Sequence, residues 1–257
     1  MKLRLFLIIP GLLFLVALMA FEFGLRKGRD IKTQQPEEKI KTDHELISIL
    51  LEQDLGERTF SFADVISAAT GKEVLPVDQE NKNAQAIINI IHSAAEQAML
   101  LMNESDSPIK RLRRINEASA SFEEVLLAII DADPNFSCSI PRTSEGKEQR
   151  SGYPDLRIEH LPSKTVAYLD PKLYEQKNRT SSLRTFYYEP KKRSSKVQEN
   201  AHHFLLGFSH DGNDGNWQFL DWELVDLSKL QVRLKAEFQA SNRELYLEES
   251  TLKSRNP

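Results

Sequence analysis

The stretch GYPDLRIEHLPSKTVAYLDPKLY, residues 152–174, decides how this chain is read. It contains two runs rich in β-branched, aromatic and aliphatic residues, LRIEH and TVAYLDPKLY, joined by the turn-forming LPSK. Side chains alternate along a strand. Val166, Tyr168, Asp170, Lys172 and Tyr174 therefore share one face, and Ala167, Leu169, Pro171 and Leu173 share the other. An antiparallel pairing through so short a link brings the start of the first strand beside the end of the second. Asp155, which opens the first run, is thereby expected next to Asp170 and Lys172. Pro171 is the discordant residue, because proline has no N–H for a ladder and belongs at edges or bulges.

Two carboxylates and one lysine are the minimum set for metal-assisted hydrolysis of a phosphodiester. A hard cation such as Mg²⁺ is held by one or two carboxylates together with waters and phosphate oxygens. It polarises the phosphoryl group and acidifies a bound water, while a neighbouring lysine orients that water or offsets the developing charge.

The pattern Pro154-Asp155, a spacer, then Asp170-x-Lys172 resembles the PD-(D/E)XK nuclease superfamily, which includes many restriction and repair endonucleases. The resemblance spans roughly residues 121–227 and implies a core running helix, three strands, helix, strand. SFEEVLLAIIDA, a β segment near residues 137–140, LRIEH, TVAYLDPKLY, a helix around SSLRTFYYEP, and HHFLLGF occur in that order. It further implies Asp155 and Asp170 as metal ligands, Lys172 as the catalytic lysine, and Glu123 as an added acid from the first helix. Glu124 would point away. The implied cofactor is Mg²⁺ or Mn²⁺ and the implied partner is nucleic acid, in particular DNA. Arg184 and Lys191 follow the motif as candidate phosphate contacts, against the alternative of a solvated loop. Tyr187 and Tyr188 are either base-stacking or core aromatics.

Charge is uneven along the chain. Residues 142–200 carry 13 Lys/Arg and 8 Asp/Glu, a surplus of 13 − 8 = 5 positive charges within a chain whose net charge is −4. That local surplus suits an anionic substrate. The single cysteine, Cys138, excludes an intrachain disulfide and reads as a core thiol. There is no glycine-rich phosphate loop and no Cys/His zinc spacing. Adjacent His202 and His203 face opposite sides of a strand, and DGNDGN reads as a turn rather than a calcium loop.

The N-terminus holds an apolar run over residues 5–21, flanked by basic residues on both sides. Its length suits either a membrane anchor or an export signal, and the side of the membrane stays open. A polar tether at 30–42 follows. Asp43 and Ser61 are expected helix N-caps, and Gly71 a helix stop. Ala84, Ile87, Ile88, Ile91, Ala95, Ala98 and Met102 recur at helical spacing, as do Phe122, Val125, Leu126, Ile129 and Ile130. From Cys138 onward helical periods give way to strand-like runs, and KLQVRLKAEFQASNRELYLEES reads as a closing helix or long strand.

The expected architecture is α/β (α+β): helices first, then a restriction-endonuclease-like mixed sheet flanked by helices. The expected segments are an anchor or signal at 1–29, a linker at 30–42, a helical region at 43–120 and a nuclease-like domain at 121–257. Two functions stay open on the sequence. One is a membrane-anchored or exported metal-dependent DNA endonuclease. The other is a non-catalytic, membrane-tethered envelope or interaction protein with a degenerate nuclease-like fold.

Overall fold

The computed structural model describes residues 42–182, 186–191, 193–235 and 237–253. The apolar run at 5–21, the tether up to residue 41 and Arg184 lie outside the described residues. Among the described residues no helix is long and apolar enough to cross a membrane.

The chain divides into two compact units, residues 1–54 and 55–257. In the first, α1 (Asp43–Glu52) is capped by Thr42 rather than Asp43, the Thr42 hydroxyl accepting from the Glu45 N–H at 3.2 Å. None of its residues is buried.

The second unit contains β1 (Thr59–Ser61), α2 (Phe62–Thr70), α3 (Lys82–Asn103) and α4 (Ser119–Asp131). These are followed by β2 (Phe136–Ser139), β3 (Leu156–His160), β4 (Thr165–Glu175), β5 (His202–His210), β6 (Phe219–Asp226), β7 (Gln231–Arg233) and the short α5 (Asn242–Leu245). The expected boundary near residue 120 lies within this unit. Ser61 caps α2 by accepting from Asp64 N–H, and Gly71 ends it in the left-handed region at φ 70°, where the lack of a Cβ removes the steric cost.

Five strands form one mixed sheet in the order β2-β3-β4-β5-β6. The β4–β5 pair is parallel and the other neighbours are antiparallel. The β5–β6 hairpin turns through the polar segment around Asp211–Asn216 as its glycines foretell, and β1 pairs with β7 in a separate small sheet.

Each face of the sheet has its own core. On one side Ile87, Ile91, Ala95, Ala98 and Met102 of α3 and Phe122, Leu126 and Ile130 of α4 cover Leu156, Ile158, Ala167, Leu169, Leu206 and Phe208. Burial of each large side chain contributes about 1.5–3 kcal/mol. Cys138 belongs to this core, and burial pushes its thiol up to about 12. On the other side Phe62 and Ile66 of α2 pack with Tyr153, Val166, Tyr168 and Val197. Strand β4 thus alternates as its sequence requires, and Asp170 and Lys172 continue the Tyr168 face.

Two expectations fail. The parallel β4–β5 connection carries no helix around SSLRTFYYEP: residues 181–182 and 186–190 are irregular. The Phe186-Tyr187-Tyr188 run lacks the polar face of a surface helix, and two of its rings insert beside Phe62 instead. The segment KLQVRLKAEFQASNRELYLEES is neither one helix nor one long strand. It gives the three-residue β7 and the four-residue α5.

Candidate active site

The β3–β4 register runs from His160↔Thr165 to Leu156↔Leu169. Continued by one residue, it sets Asp155 opposite Asp170. Lys172 Nζ lies 2.5 Å from Asp170 Oδ2 and 3.5 Å from Asp155 Oδ2. The three side chains expected from the sequence to converge do so.

Pro171 fits this arrangement. It falls past the last β3 partner, so β4 is bonded there on one side alone, and the pairing with β5 runs unbroken through Pro171↔Leu206. With no β3 residue paired opposite Pro171, its missing N–H takes no bond from the β3–β4 ladder.

The site lines the floor of a cavity of about 280 Å³, whose other walls come from the loop at 149–153 and the crossover at 187–196. With each water taking roughly 30 Å³ of liquid volume, that space accommodates a phosphate group, a cation and several waters. Lys191 lines the same cavity and pairs with Glu189 at 3.1 Å, the lysine a little under half-exposed and the glutamate largely exposed. Tyr188 is half-buried against Phe62 and Tyr187 stands at the cavity mouth, largely exposed.

Electrostatics single out the carboxyls. Asp170 is 3% exposed; its burial, then the Asp155 charge, push its carboxyl up to about 7, against the opposing pull of Lys172. Burial works against the Lys172 charge, but Asp170 and Asp155 outweigh it and raise the lysine. Glu123, half-buried on α4, is raised by burial and then by Asp155, with Lys172, Arg150 and Lys196 acting the other way. It therefore shares the field of the site. Glu124 points outward and pairs with Arg150 at 3.1 Å, as its place on the helix requires.

The donor set suits a hard divalent cation. Among the described residues no group of three or more His, Cys, Asp and Glu side chains forms a ready cage. Mg²⁺ does not need one, since it keeps waters and takes one or two carboxylates. Asp170 Oδ2 is buried with a charge partner in Lys172 but no aligned hydrogen-bond donor. Lys172 makes its aligned bond to the Pro171 carbonyl, at 3.2 Å. A buried oxygen with free lone pairs is what a cation displacing the ammonium would use.

Two residues at the site, Lys196 and Tyr153, were not foreseen. Lys196 is 4% exposed and donates to the Pro154 carbonyl at 2.7 Å. Tyr153, ahead of a cis bond to Pro154, shares a hydrogen bond of 2.7 Å with Nδ1 of the buried His203. Burial, then the nearby His202, hold His203 far below the usual imidazole range, at about 3, so it is neutral. Lys196 lies in a polar segment without period, and only tertiary placement brings it here. The Tyr153–His203 contact follows from strand alternation, because His203 pairs with Tyr168 on the Asp170 face.

The chain is 29% identical over 218 residues to a protein named Type II restriction enzyme MjaV from Methanocaldococcus jannaschii, covering 80% of this chain and 94% of that relative. No solved structure matches it. The matched family model begins where the second compact unit begins, and over residues 55–249 the chain belongs to the Type II restriction enzyme MjaV family.

Proposed function

We propose that residues 55–257 form a Mg²⁺- or Mn²⁺-dependent endonuclease of the PD-(D/E)XK type that cuts duplex DNA at particular sequences. The observation that carries this reading is the convergence of Asp155 and Asp170 on the Lys172 ammonium, at 3.5 and 2.5 Å, in the lining of a cavity. Similarity to a restriction enzyme supports the choice of DNA.

Asp155 and Asp170 would hold the cation. When bound, the cation supplies Lewis-acid charge and an acidified water. The remaining steps belong to the chain. Lys172, released from Asp170, turns its ammonium toward the attacking water or a non-bridging phosphate oxygen and offsets charge there. Glu123, whose proton affinity is raised by burial and then by Asp155, would orient a water at the edge of the site. Lys191 at the cavity wall and Arg184 in the crossover are proposed phosphate contacts.

The test is cleavage of plasmid and duplex DNA by the full-length protein with Mg²⁺ or Mn²⁺. Wild type should cut, and Lys172→Ala should lose roughly 10²-fold or more in rate. An inactive wild type, or Lys172→Ala with unchanged activity, overturns the catalytic reading and favours a non-catalytic interaction protein. The apolar run at 5–21 supports a separate reading, a membrane anchor or export segment ahead of the nuclease. Fractionation of the expressed protein checks it, and recovery wholly outside the membrane and export fractions removes it.

A further inference from the structure

The crossover between β4 and β5 lies against the loop that precedes β3, and the two are laced by hydrogen bonds. The Ser144 hydroxyl donates to the Arg193 carbonyl at 2.6 Å, and the Ser144 N–H donates to the Ser195 carbonyl at 2.9 Å. Gln198 Nε2 donates to the Arg142 carbonyl at 2.7 Å. All of these donors are neutral. One lacing bond uses a charge: Lys196 Nζ donates to the Pro154 carbonyl at 2.7 Å and reaches the Arg150 carbonyl at 3.4 Å.

Burying an ammonium against neutral acceptors is expensive, and a neutral donor would serve a purely mechanical lace at lower cost. The location accounts for the charge. Pro154 is bonded directly to Asp155; burial lowers the proton affinity of Lys196, and the nearby Asp155, Glu123 and Asp170 offset that loss only in part. Lys172 forms ion pairs with both carboxylates besides its bond to the Pro171 carbonyl, whereas the Lys196 ammonium bonds the Pro154 and Arg150 carbonyls. The two lysines therefore have separate tasks.

We propose that Lys196 is a positioning residue: its buried ammonium anchors the Pro154 carbonyl and so fixes the Asp155 carboxylate at the place where a divalent cation is taken up. This rests on the nuclease reading above. The proposal fixes the sign of an experiment. Removing a positive charge near two carboxylates, by itself, tightens cation binding. Removing an anchor loosens it, and loss of a group that orients a ligand typically costs about 10–100-fold in metal affinity.

The experiment is calorimetric titration of full-length protein with Mn²⁺ alone, without DNA, for wild type, Lys196→Met and Lys172→Met. Lys196→Met should bind Mn²⁺ roughly 10-fold more weakly or worse, and its cleavage should need a Mn²⁺ concentration higher by the same factor. Lys172→Met should bind Mn²⁺ at least as tightly as wild type. Equal or tighter binding by Lys196→Met overturns the proposal while leaving the nuclease reading intact. A wild type that neither binds Mn²⁺ nor cuts DNA overturns both. Circular dichroism melts establish that each variant folds, and Lys196→Gln, which keeps a neutral donor, serves as the second variant. If neither Lys196 variant folds, the ammonium belongs to stability rather than to the site, and the proposal falls.

Discussion

Asp170 sits where its charge is costly, buried on a strand beside a second carboxylate. Its carboxyl is raised to about 7, so the native state holds that proton more tightly than the unfolded chain does. The resulting stabilisation is complete below the ordinary carboxylate range and is lost as pH rises through about 7. In metal-free protein, Asp170→Asn cannot suffer that loss. Urea midpoints should show the variant gaining on wild type between pH 5 and 8, by more than ~1 kcal/mol at the upper end, while cleavage is abolished. At this scale the sequence was readable where alternation and pairing act: Asp155, Asp170, Lys172 and the outward turn of Glu124 all follow from counting along a strand or helix. Lys196 was not readable. It reaches the site from 41 positions beyond Asp155 (196 − 155) through an irregular segment, and no period connects them.

Helix α4 carries Glu123 toward the site because its opposite flank is locked into the core. Phe122 has no exposed surface and packs against Phe208 and Phe219, with ring centroids at 4.4 and 4.7 Å. Phe122→Ala should cost about 3–5 kcal/mol, read as a lowered urea midpoint. Strand β4 gives the opposite expectation. Because Pro171 stands beyond the end of β3, Pro171→Val should change stability by less than about 1 kcal/mol and leave cleavage within a few-fold of wild type. Loss of activity in that variant would show that the proline itself is needed. Strands and long helices were legible because burial on one face imposes a period on their residues. The crossover was misread as helical because its aromatic residues are placed by a tertiary contact with Phe62, which no local pattern announces.

For the whole molecule, the compact unit at 55–257 and the family match at 55–249 start at the same residue. A protein comprising residues 55–257 should therefore unfold in one cooperative transition, with a melting temperature within a few degrees of the full chain. It should also retain cleavage. A broad or absent transition would show that residues 1–54 are needed for folding. The helix-then-sheet architecture was readable from the change of texture near Cys138. That α3 and α4 share one core with the sheet was not, because an apolar stripe shows that a face is buried and leaves open what covers it.

Asp155 and Asp170 line the cavity with Glu123 in their electrostatic field, three acids facing Lys172 and Lys196, while Glu189 and Lys191 at the wall pair with each other. With every acid ionised that balance is negative, and a phosphate approaching it alone is repelled. A divalent cation reverses the sign. Cation and DNA should therefore assist each other's binding, and by thermodynamic reciprocity the factor by which Mn²⁺ tightens DNA must equal the factor by which DNA tightens Mn²⁺. In the absence of divalent ions the protein is expected to bind DNA more weakly, a gate set by five side chains.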